Sequence, residues 1–416
     1  MKVAIIHQPT GPIWTSGTSG SVSIWVYEIA RRLARSCETI VYARKGEGQP
    51  NKEYHEGVEY RRILVGQDEI LLKLFKKLSL FHDKKRPLFV SQLGYRKYIS
   101  TIAQDVQRQK CDIIHIVNFP NFVPVVRAHN PGIPIVLHMH GEWLTQVDPS
   151  MVEGWLSKTD FILSVSEFVS QGIRTRFPNY ASRCQTIYMG VDPDRFCDKS
   201  GPSIKKKNSA KRLLYVGRIS PEKGLHVLLD AFQRVVRQLP EATLKIVGPE
   251  WLMPREYIVE LSGNIKISAL DSFYKGGYLS FLKKQLPSKL VNQVDFIDLV
   301  VHEKINTYFN NADLYVNPSF SESLGMSIIE AMASQLPVVA TRVGGVPEVV
   351  EEDETGILVE PGDAAALAQA IIRLLENDSL RDTMGNRAVK RAVELFSWDK
   401  ISTDLLCLYQ KLMLKG

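Results

Sequence analysis

A polar turn in the second half of the sequence, between an apolar run and a helix-forming run, could bind an anion. The apolar run ends at Asn317 and Pro318, and the turn leads into the helix-forming residues Ile328–Ala333. The first amide groups of a helix have no partner within it, and the helix dipole is positive at that end. Ser323 and Gly325 carry little or no side chain, so a phosphate could approach the backbone. The pattern fits a phosphate site and a plain helix cap equally well.

Two glutamates belong to this turn and helix. Glu322 lies just before the helix and Glu330 well within it. Their separation is a little over two helical turns, so the two carboxylates cannot contact the same small group. The spacing fits an extended ligand with hydroxyl groups at both ends of a diphosphate. The alternative is a capping residue followed by one exposed glutamate, and the local chemistry leaves both interpretations open.

Two cations lie in the loop Tyr215–Gly224, which reads YVGRISPEKG. Arg218 and Lys223 could neutralise a diphosphate, because guanidinium and ammonium groups form strong charge-assisted hydrogen bonds with phosphate oxygens. By themselves they are ordinary surface cations, since a Lys-Gly pair before a helix is common. Their spacing alone does not decide between a phosphate site and a solvated loop.

Two histidines follow the apolar run Ile135–Leu137. His138 and His140 are two residues apart, so on a strand they point to the same face, which would also suit a metal ion. No third ligand is spaced to complete such a site, and the five cysteines include no Cys-x-x-Cys pair. We therefore predict no metal site.

A glycine- and serine-rich loop, Gly11–Ser21, precedes the first helix-forming run. It lacks the Gly-Lys-Ser/Thr sequence of a phosphate-binding P-loop. Its glycines, of which Gly20 is the last, are not spaced as in the dinucleotide-binding fingerprint. The loop by itself indicates no particular ligand.

Short apolar strands and helices alternate in both halves of the chain, and these elements must position the polar residues. Val3–His7 is followed by the helical pattern Ser23–Arg35, and Leu213–Val216 is followed by His226–Leu239. Such alternation predicts α/β domains, each with a parallel sheet covered by helices on both faces. Ligands bind beyond the carboxyl ends of the strands in such sheets, so we expect a cleft between two domains.

A stretch rich in Pro, Gly, Ser and charged residues, Asp198–Arg212, separates the two halves. We place the boundary there, which predicts domains over residues 1–200 and 201–396. The 45 residues between Gly248 and Val294 are long for a loop in a compact domain. Tyr278–Leu286 has a helical pattern within that stretch, and Pro249–Gly277 has no assigned element.

The composition is that of an ordinary globular chain of 416 residues, with 44% hydrophobic and 23% charged residues. This composition excludes a mainly disordered chain. The sequence contains no run of about 18 apolar residues, so we expect no membrane-spanning helix. The net charge of +7 is mild for this length. Basic residues concentrate at 71–97 and 205–212, and neither cluster has the interleaved aromatic residues of a nucleic-acid surface. We therefore predict no nucleic-acid partner. The cysteine pattern and the short apolar N-terminus predict a cytoplasmic protein.

One amphipathic segment could contact an anionic membrane. Leu71–Phe81 alternates apolar residues with lysines at helical spacing, and basic residues continue as far as residue 97. A helix of this kind can lie in the membrane interface with its apolar face buried. The alternative is that the apolar stripe packs on the protein's own core.

Several of these stretches resemble the retaining glycosyltransferases of family 4, which have the GT-B fold. The segment 319–333 resembles the family's E-x7-E motif, and Tyr215–Gly224 resembles its phosphate-clamping loop. Gly190–Asp192, the sequence GGVPE at 344–348 and Thr355–Gly356 follow in the family's order, over nearly the whole chain. The resemblance implies two Rossmann-like domains that face a cleft, with a C-terminal helix from about residue 397 to 416 returning to the first domain.

The resemblance also implies roles for individual residues. Arg218 and Lys223 would contact the donor diphosphate, and Glu322 would face the donor sugar. Glu330 would hold the ribose hydroxyls, and His140 would contact the sugar's terminal hydroxyl. The other donor-binding residues that the family pattern implies are Gly20, Ser21, Val300, Ser323, Leu324, Gly325 and Met326.

The function that the resemblance implies is sugar transfer with retention at the anomeric carbon, from a nucleoside-diphosphate sugar to a hydroxyl group. We expect a UDP-linked donor, a glycan, lipid-linked or small-molecule acceptor, and no metal or other cofactor. The first domain would bind the acceptor and the second the donor. Three positions depart from the family's pattern, because Ser21 and Asp298 each replace a glycine and Met189 replaces an asparagine. The alternatives are a nucleotide-sugar epimerase or phosphorylase-like enzyme on the same fold, and a non-catalytic nucleotide-binding module.

Overall fold

The chain divides into two compact units in its structure, a computed structural model that describes residues 1–15, 17–18, 20–77, 83–91, 93–196 and 211–414. Unit 1 comprises Met1–Met189 and Trp398–Gly416, and unit 2 comprises Gly190–Ser397. The sequence placed the first boundary after residue 200, which lies outside the described residues. The compact units divide eleven residues earlier.

Unit 1 is built on an eight-stranded sheet in the order β3-β4-β2-β1-β5-β6-β7-β8. Its strands are parallel except that β3 runs antiparallel to β4. The strands are β1 Lys2–Ile6, β2 Glu38–Arg44, β3 Lys52–His55, β4 Val58–Ile63, β5 Ile113–Val117, β6 Ile135–Met139, β7 Phe161–Ser164 and β8 Cys184–Thr186. All residues of β5 and β6 are buried, as expected for a sheet with both faces covered.

Among the described residues, seven α-helices lie between the strands of this sheet along the chain. They are α1 Ser21–Leu33, α2 Gly66–Lys77, α3 Arg96–Gln109, α4 Val123–His129, α5 Trp143–Gln146, α6 Pro149–Leu156 and α7 Glu167–Arg176. In α1 the buried residues Ile24, Trp25, Ile29 and Leu33 recur at helical spacing, which explains why this face packs on the sheet.

Unit 2 is built on a six-stranded sheet whose pairs are all parallel, in the order β11-β10-β9-β12-β13-β14. The strands are β9 Lys211–Val216, β10 Ala242–Val247, β11 Val294–Ile297, β12 Leu314–Asn317, β13 Val338–Thr341 and β14 Gly356–Val359. The order reverses between β9 and β12, which is the point at which doubly wound sheets bind ligands.

Nine helices belong to unit 2. They are α8 Pro193–Phe196, α9 Leu225–Gln238, α10 Ile265–Ser268, α11 Tyr278–Gln285, α12 Asn306–Asn310, α13 Met326–Ala333, α14 Val346–Val349, α15 Ala364–Glu376 and α16 Asp378–Phe396 within its described residues. The expectation of two domains with parallel sheets between helices is confirmed.

The last helix, α17 Trp398–Met413, belongs to unit 1. Its Asp399 accepts a hydrogen bond of 2.9 Å from Arg32 of α1. Its Tyr409 hydroxyl lies 2.6 Å from Nδ1 of His115 on β5. The chain therefore returns to the first unit at its C-terminus, as the sequence resemblance implied.

Two regions are more ordered than their sequence indicated. The stretch from Gly48 to Tyr98, which carries no motif, forms the hairpin of β3 and β4, helix α2 and the start of α3. The unassigned residues 249–277 form short helical segments, including a π-helix at Glu256–Glu260 and the short helix α10. Among the described residues, no helix has the length and apolar content needed to cross a membrane.

Candidate functional site

The turn between β12 and α13 has the geometry that the sequence predicts. Helix α13 begins after Gly325, whose φ of 99° is in the left-handed region, and a Cβ at this position would lie 2.8 Å from Cδ1 of Ile328. The amides of Ser323, Leu324, Gly325 and Met326 donate no hydrogen bond to any described residue. Four unpaired amides at the positive end of a helix form a place where an anion can bind.

Lys223 and Glu322 meet beside this turn. The Lys223 ammonium donates to Oε1 of Glu322 over 2.6 Å, and both side chains are largely buried. The Ser319 hydroxyl donates to the same oxygen at 3.0 Å. The contact forms because β9 and β12 are neighbours in the sheet, so the loops that follow them are adjacent. The approach is so close that a Cβ at Gly224 would lie 2.0 Å from the carbonyl oxygen of Pro318.

Arg218 is held by a buried carboxylate that the sequence did not single out. Its guanidinium donates to Oε1 of Glu222 over 3.0 Å, and Glu222 also accepts hydrogen bonds from Ser220 at 2.7 Å and Tyr274 at 2.8 Å. Burial by itself would raise the pKa of Glu222. The charges of Arg218 and Lys223 and the two hydroxyl donors outweigh it and hold that pKa below its ordinary value. Together, Arg218, Lys223, Glu322 and the four free amides form the anion site.

The insertion 249–277 contributes side chains that contact Arg218 and Glu222. Arg218 lies over the ring of Trp251 at 5.6 Å, and Trp251 itself is 52% exposed. Tyr274 reaches Glu222, and the neighbouring ring of Phe273 stacks on His226 with a centroid distance of 4.6 Å. These contacts could not be predicted from the sequence beyond the length of the insertion, since Tyr274 lies 52 residues from Glu222.

Glu330 lies further along α13, beyond the anion site, and is only 3% exposed. Its Oε1 lies 2.6 Å from Nε2 of His302. On the other side of the imidazole, Nδ1 lies 3.3 Å from the guanidinium of Arg195, which also donates to the His302 carbonyl. Neither His302 nor Arg195 was predicted as a site residue, since neither belongs to a recognisable motif.

One further loop supports the anion site, and another carries Val300, which the sequence predicted as a donor-binding residue. Gly344 has a φ of 53°, and a Cβ on it would lie 1.7 Å from the carbonyl oxygen of Glu322. The amide of Gly345 donates to that oxygen over 3.2 Å. Val300 is half-buried in the loop that follows β11, where the side chain of Asp298 accepts a hydrogen bond from the amide of Leu299 at 2.7 Å.

His140 belongs to unit 1, at the end of β6. Its backbone amide donates to Oδ1 of Asn118 over 2.7 Å. Both ring nitrogens are buried and form no hydrogen bond with any described residue. Burial first, and then the nearby His115 and His7, lower the pKa of His140 to about 3. The imidazole is therefore neutral at physiological pH, with one ring nitrogen able to donate and the other able to accept.

The glycine-rich loop of unit 1 leads directly into α1. Gly20 precedes the helix with a φ of 85°, and both Gly20 and Ser21 are exposed. No atom lies within 4 Å of the position a Cβ would take on Gly20, so its backbone conformation rather than crowding favours glycine. Ser16 and Ser19 lie outside the described residues.

The structure thus pairs Lys223 with Glu322 and Arg218 with Glu222, the residue that precedes Lys223 in the chain. Ser323–Met326 and Glu330 follow on the same turn and helix, while His140, Gly20 and Ser21 belong to unit 1. Within the described ranges, no group of three or more His, Cys, Asp or Glu side chains is arranged to hold a metal ion.

Two family models match the chain in succession. The model of Glycosyltransferase Family 4 matches residues 22–195, and that of Glycosyl transferases group 1 matches residues 198–391. Together they cover most of the chain. The chain belongs to glycosyltransferase family 4.

Relatives of this glycosyltransferase match it from end to end. Spore coat protein SA of Bacillus subtilis is 25% identical over 99% of the chain and 100% of the relative. The solved structure of sucrose-phosphate synthase from Thermosynechococcus elongatus superimposes with a TM-score of 0.73 at 22% identity, over 100% of both chains. HepE of Anabaena, solved in complex with UDP and glucose, gives 0.70 at 19% identity over 99% of each chain. These likenesses confirm the GT-B fold.

Proposed function

We propose that this glycosyltransferase moves a sugar from a nucleoside-diphosphate sugar, with UDP as the nucleotide, to an acceptor hydroxyl with retention at the anomeric carbon. The observation that carries the proposal is the anion site. There, Lys223 is paired with Glu322 and Arg218 with Glu222, next to four unpaired amides at the start of α13 and at the switch point of the sheet. The oxygens of a diphosphate can accept hydrogen bonds from these amides and cations.

The arrangement would favour departure of the nucleoside diphosphate. Negative charge grows on the leaving phosphate as the bond to the sugar breaks, and Lys223, Arg218 and the amides of α13 are fixed where they can stabilise it. Because fixed donors in a partly dry site need little reorganisation, they could do this without a metal ion. Glu322, held by Lys223 and Ser319, would accept hydrogen bonds from the hydroxyls of the donor sugar.

Retention follows in this proposal from a front-face reaction. The acceptor oxygen attacks the anomeric carbon on the face that the leaving phosphate vacates, and a phosphate oxygen takes the acceptor's proton. One bond from carbon to the phosphate oxygen breaks and one to the acceptor oxygen forms. His140, neutral and with both ring nitrogens unpaired, would hydrogen-bond a hydroxyl of the donor sugar.

The choice of UDP as the nucleotide rests on the structural similarity of this chain to HepE. HepE, which shares the fold, was solved with UDP and with UDP-glucose. The loop with Val300 would lie beside the base, and Asp298 there could change the preference.

Calorimetric titration with UDP, GDP and ADP tests this proposal. We expect UDP to bind most tightly and Lys223→Met to weaken its binding at least about tenfold, as loss of a charge-assisted hydrogen bond would. Lys245→Met, an exposed lysine of β10 in the same unit, is the matched control and should bind as the parent does. Equal affinity of the parent and Lys223→Met would remove Lys223 from the site.

We also propose that the acceptor side involves an anionic membrane surface, contacted through α2 of the 71–97 region. Asp68 is the buried residue of α2, and its carboxylate accepts hydrogen bonds from the amides of Lys97 and Tyr98. The apolar Ile70, Leu71 and Leu74 are exposed instead of packed in the core. Residues 78–82 of the predicted amphipathic segment lie outside the described residues. Sedimentation with vesicles of anionic lipid tests the contact.

A further inference from the structure

Glu330 has one hydrogen-bonded oxygen and one free oxygen. A carboxylate that is 3% exposed needs donors to offset the loss of water. Nε2 of His302 lies 2.6 Å from Oε1, while no described residue donates to Oε2. Because an ionised carboxylate only accepts hydrogen bonds, the free oxygen is suited to a ligand that donates, such as a hydroxyl group.

The position of the proton on His302 follows from its other neighbour. Arg195 lies 3.3 Å from Nδ1, and a guanidinium can only donate hydrogen bonds. Nδ1 must therefore accept, so the ring proton is on Nε2 and is donated to Glu330. Arg195 is itself anchored, because it donates to the His302 carbonyl and its own carbonyl accepts from the side chain of Asn306 at 3.1 Å.

The contacts of His302 with its neighbours orient the imidazole toward one oxygen of Glu330. The imidazole is fixed at one end by Arg195, and its ring packs near that of Phe196, with a centroid distance of 6.0 Å. A ring held at this angle directs its Nε2–H at one oxygen of Glu330 and leaves the other oxygen for a ligand. Arg195, His302 and Glu330 all belong to unit 2, so this chain of contacts is complete within one compact unit.

We propose that His302 is a positioning residue that aims Oε2 of Glu330 at the ribose hydroxyls of the donor, and that Arg195 fixes its tautomer. The inference rests on the proposed function, since it needs a nucleotide at the anion site. It adds the roles of His302 and Arg195: the preference for ribonucleotides over 2′-deoxyribonucleotides, which the resemblance implies through Glu330, depends on a carboxylate that His302 orients.

Calorimetric titration with UDP and 2′-deoxy-UDP tests this role on the full chain. The parent should bind UDP about tenfold more tightly than 2′-deoxy-UDP, as for a site that loses one hydrogen bond to a charged group. His302→Phe keeps a ring and removes the donor, so UDP affinity should fall about tenfold and the preference should disappear. His302→Gln places an amide N–H close to the position of Nε2 and should retain most of both. Lys304→Gln, an exposed neighbour, is the control.

Two further readouts separate positioning from general damage to the fold. The KM for the donor should rise in His302→Phe while kcat changes little, because the ribose does not react. Combining His302→Phe with Glu330→Ala should weaken binding no more than Glu330→Ala alone, because the histidine acts through the glutamate. Nitrogen NMR of the parent should find the His302 proton on Nε2.

Each contrary result has a distinct meaning. If the parent prefers UDP and Glu330→Ala abolishes that preference while His302→Phe does not, the role of His302 is wrong and the proposed function stands. Additive losses in the double variant, or failure of His302→Gln to rescue, would equally overturn the role of His302. A parent that binds no ribonucleoside diphosphate would instead overturn the proposed function, and this inference with it.

Discussion

Both cations of the anion site are paired with carboxylates before any ligand binds, but the two pairs differ. Glu222 is buried and its oxygens accept from Arg218, Ser220 and Tyr274, so it is committed to holding Arg218. Glu322 remains partly accessible beside Lys223. Ordering of the cations in advance lowers the entropy that a bound diphosphate must remove. We therefore assign Glu222 a structural role and Glu322 a role in contact with the ligand.

Gly344→Ala should damage this arrangement without touching any charged group. The new Cβ would lie 1.7 Å from the carbonyl oxygen of Glu322, and a φ of 53° disfavours any residue with a Cβ. We expect the Glu322 backbone to move, with a loss of at least about tenfold in UDP affinity and about 1–3 kcal/mol in stability. Titration calorimetry and urea unfolding measure the two effects.

Gly263→Ala is the matched control in the same unit. No atom lies within 4 Å of the position of its Cβ, and its φ is not in the left-handed region. It should bind UDP as the parent does. If Gly344→Ala also did so, the close support of Glu322 by the Gly344 loop would not matter for binding.

At this scale the sequence was informative where residues belong to one motif. Glu322 and Glu330 could be singled out because they share a turn and a helix. Tyr274 and His302 could not be singled out in this way. Tyr274 lies 52 residues from Glu222 and His302 lies 28 residues from Glu330, so these pairs become visible only in the folded chain.

At the scale of elements, the insertion 249–277 and helix α2 depart from what an economical α/β unit requires. The insertion contributes Trp251 and Tyr274 to the surroundings of Arg218 and Glu222. Helix α2 belongs to unit 1 instead. It is attached to the rest of that unit through Asp68, and several of its apolar residues are exposed. Alternating apolar patterns predicted the long strands and helices, but not the hairpin of β3 and β4. Those short strands are half-polar, so the pattern that identifies buried parallel strands is weak there.

The exposed apolar face of α2 predicts binding to anionic vesicles. Ile70 is 67% exposed and Leu74 is 48% exposed, and both lie close to exposed lysines. Burial of such residues in a membrane interface, with attraction of the lysines to anionic lipid, should make Ile70→Ser/Leu74→Ser bind several-fold more weakly. Co-sedimentation at low salt measures this.

Ile265→Ser controls for the loss of any exposed apolar residue, because Ile265 is 84% exposed in unit 2. Its binding to vesicles should equal that of the parent. No sedimentation of the parent with anionic vesicles, or equal sedimentation of all three proteins, would contradict a membrane role for α2.

At the scale of the whole molecule, unit 1 contains an unusual histidine core. His7, His115 and His140 have a pKa of about 3 because they are buried, and burial lowers that of His138 well below its ordinary value. The rings of His115, His138 and His140 pack around Trp25 with centroid distances of 4.6–5.4 Å. All four imidazoles must be neutral in the folded state.

This core predicts that stability falls on acidification. Above the unfolded pKa of about 6.5, neither state binds a proton at these sites. As the pH falls below that value, the unfolded chain binds protons that the folded chain excludes, so each imidazole costs about 1.4 kcal/mol per pH unit down to its folded pKa. The urea midpoint should fall steeply from pH 6.5 to 5. His138→Met should make the fall shallower, whereas His129→Gln at a partly exposed site should not. An unchanged midpoint over that range would contradict the buried neutral core.

In the proposed mechanism, the anion site of unit 2 drives release of a nucleoside diphosphate from a sugar. The most direct measurement is nucleoside diphosphate released from UDP-, GDP- and ADP-linked hexoses, without acceptor and with a panel of hydroxyl acceptors. We predict release from a UDP-sugar, reduced about 100-fold or more in Lys223→Met and Glu322→Gln, as for loss of a fixed group that stabilises the transition state, and unchanged in Lys245→Met. No release from any donor, or undiminished release in both site variants, would contradict the account.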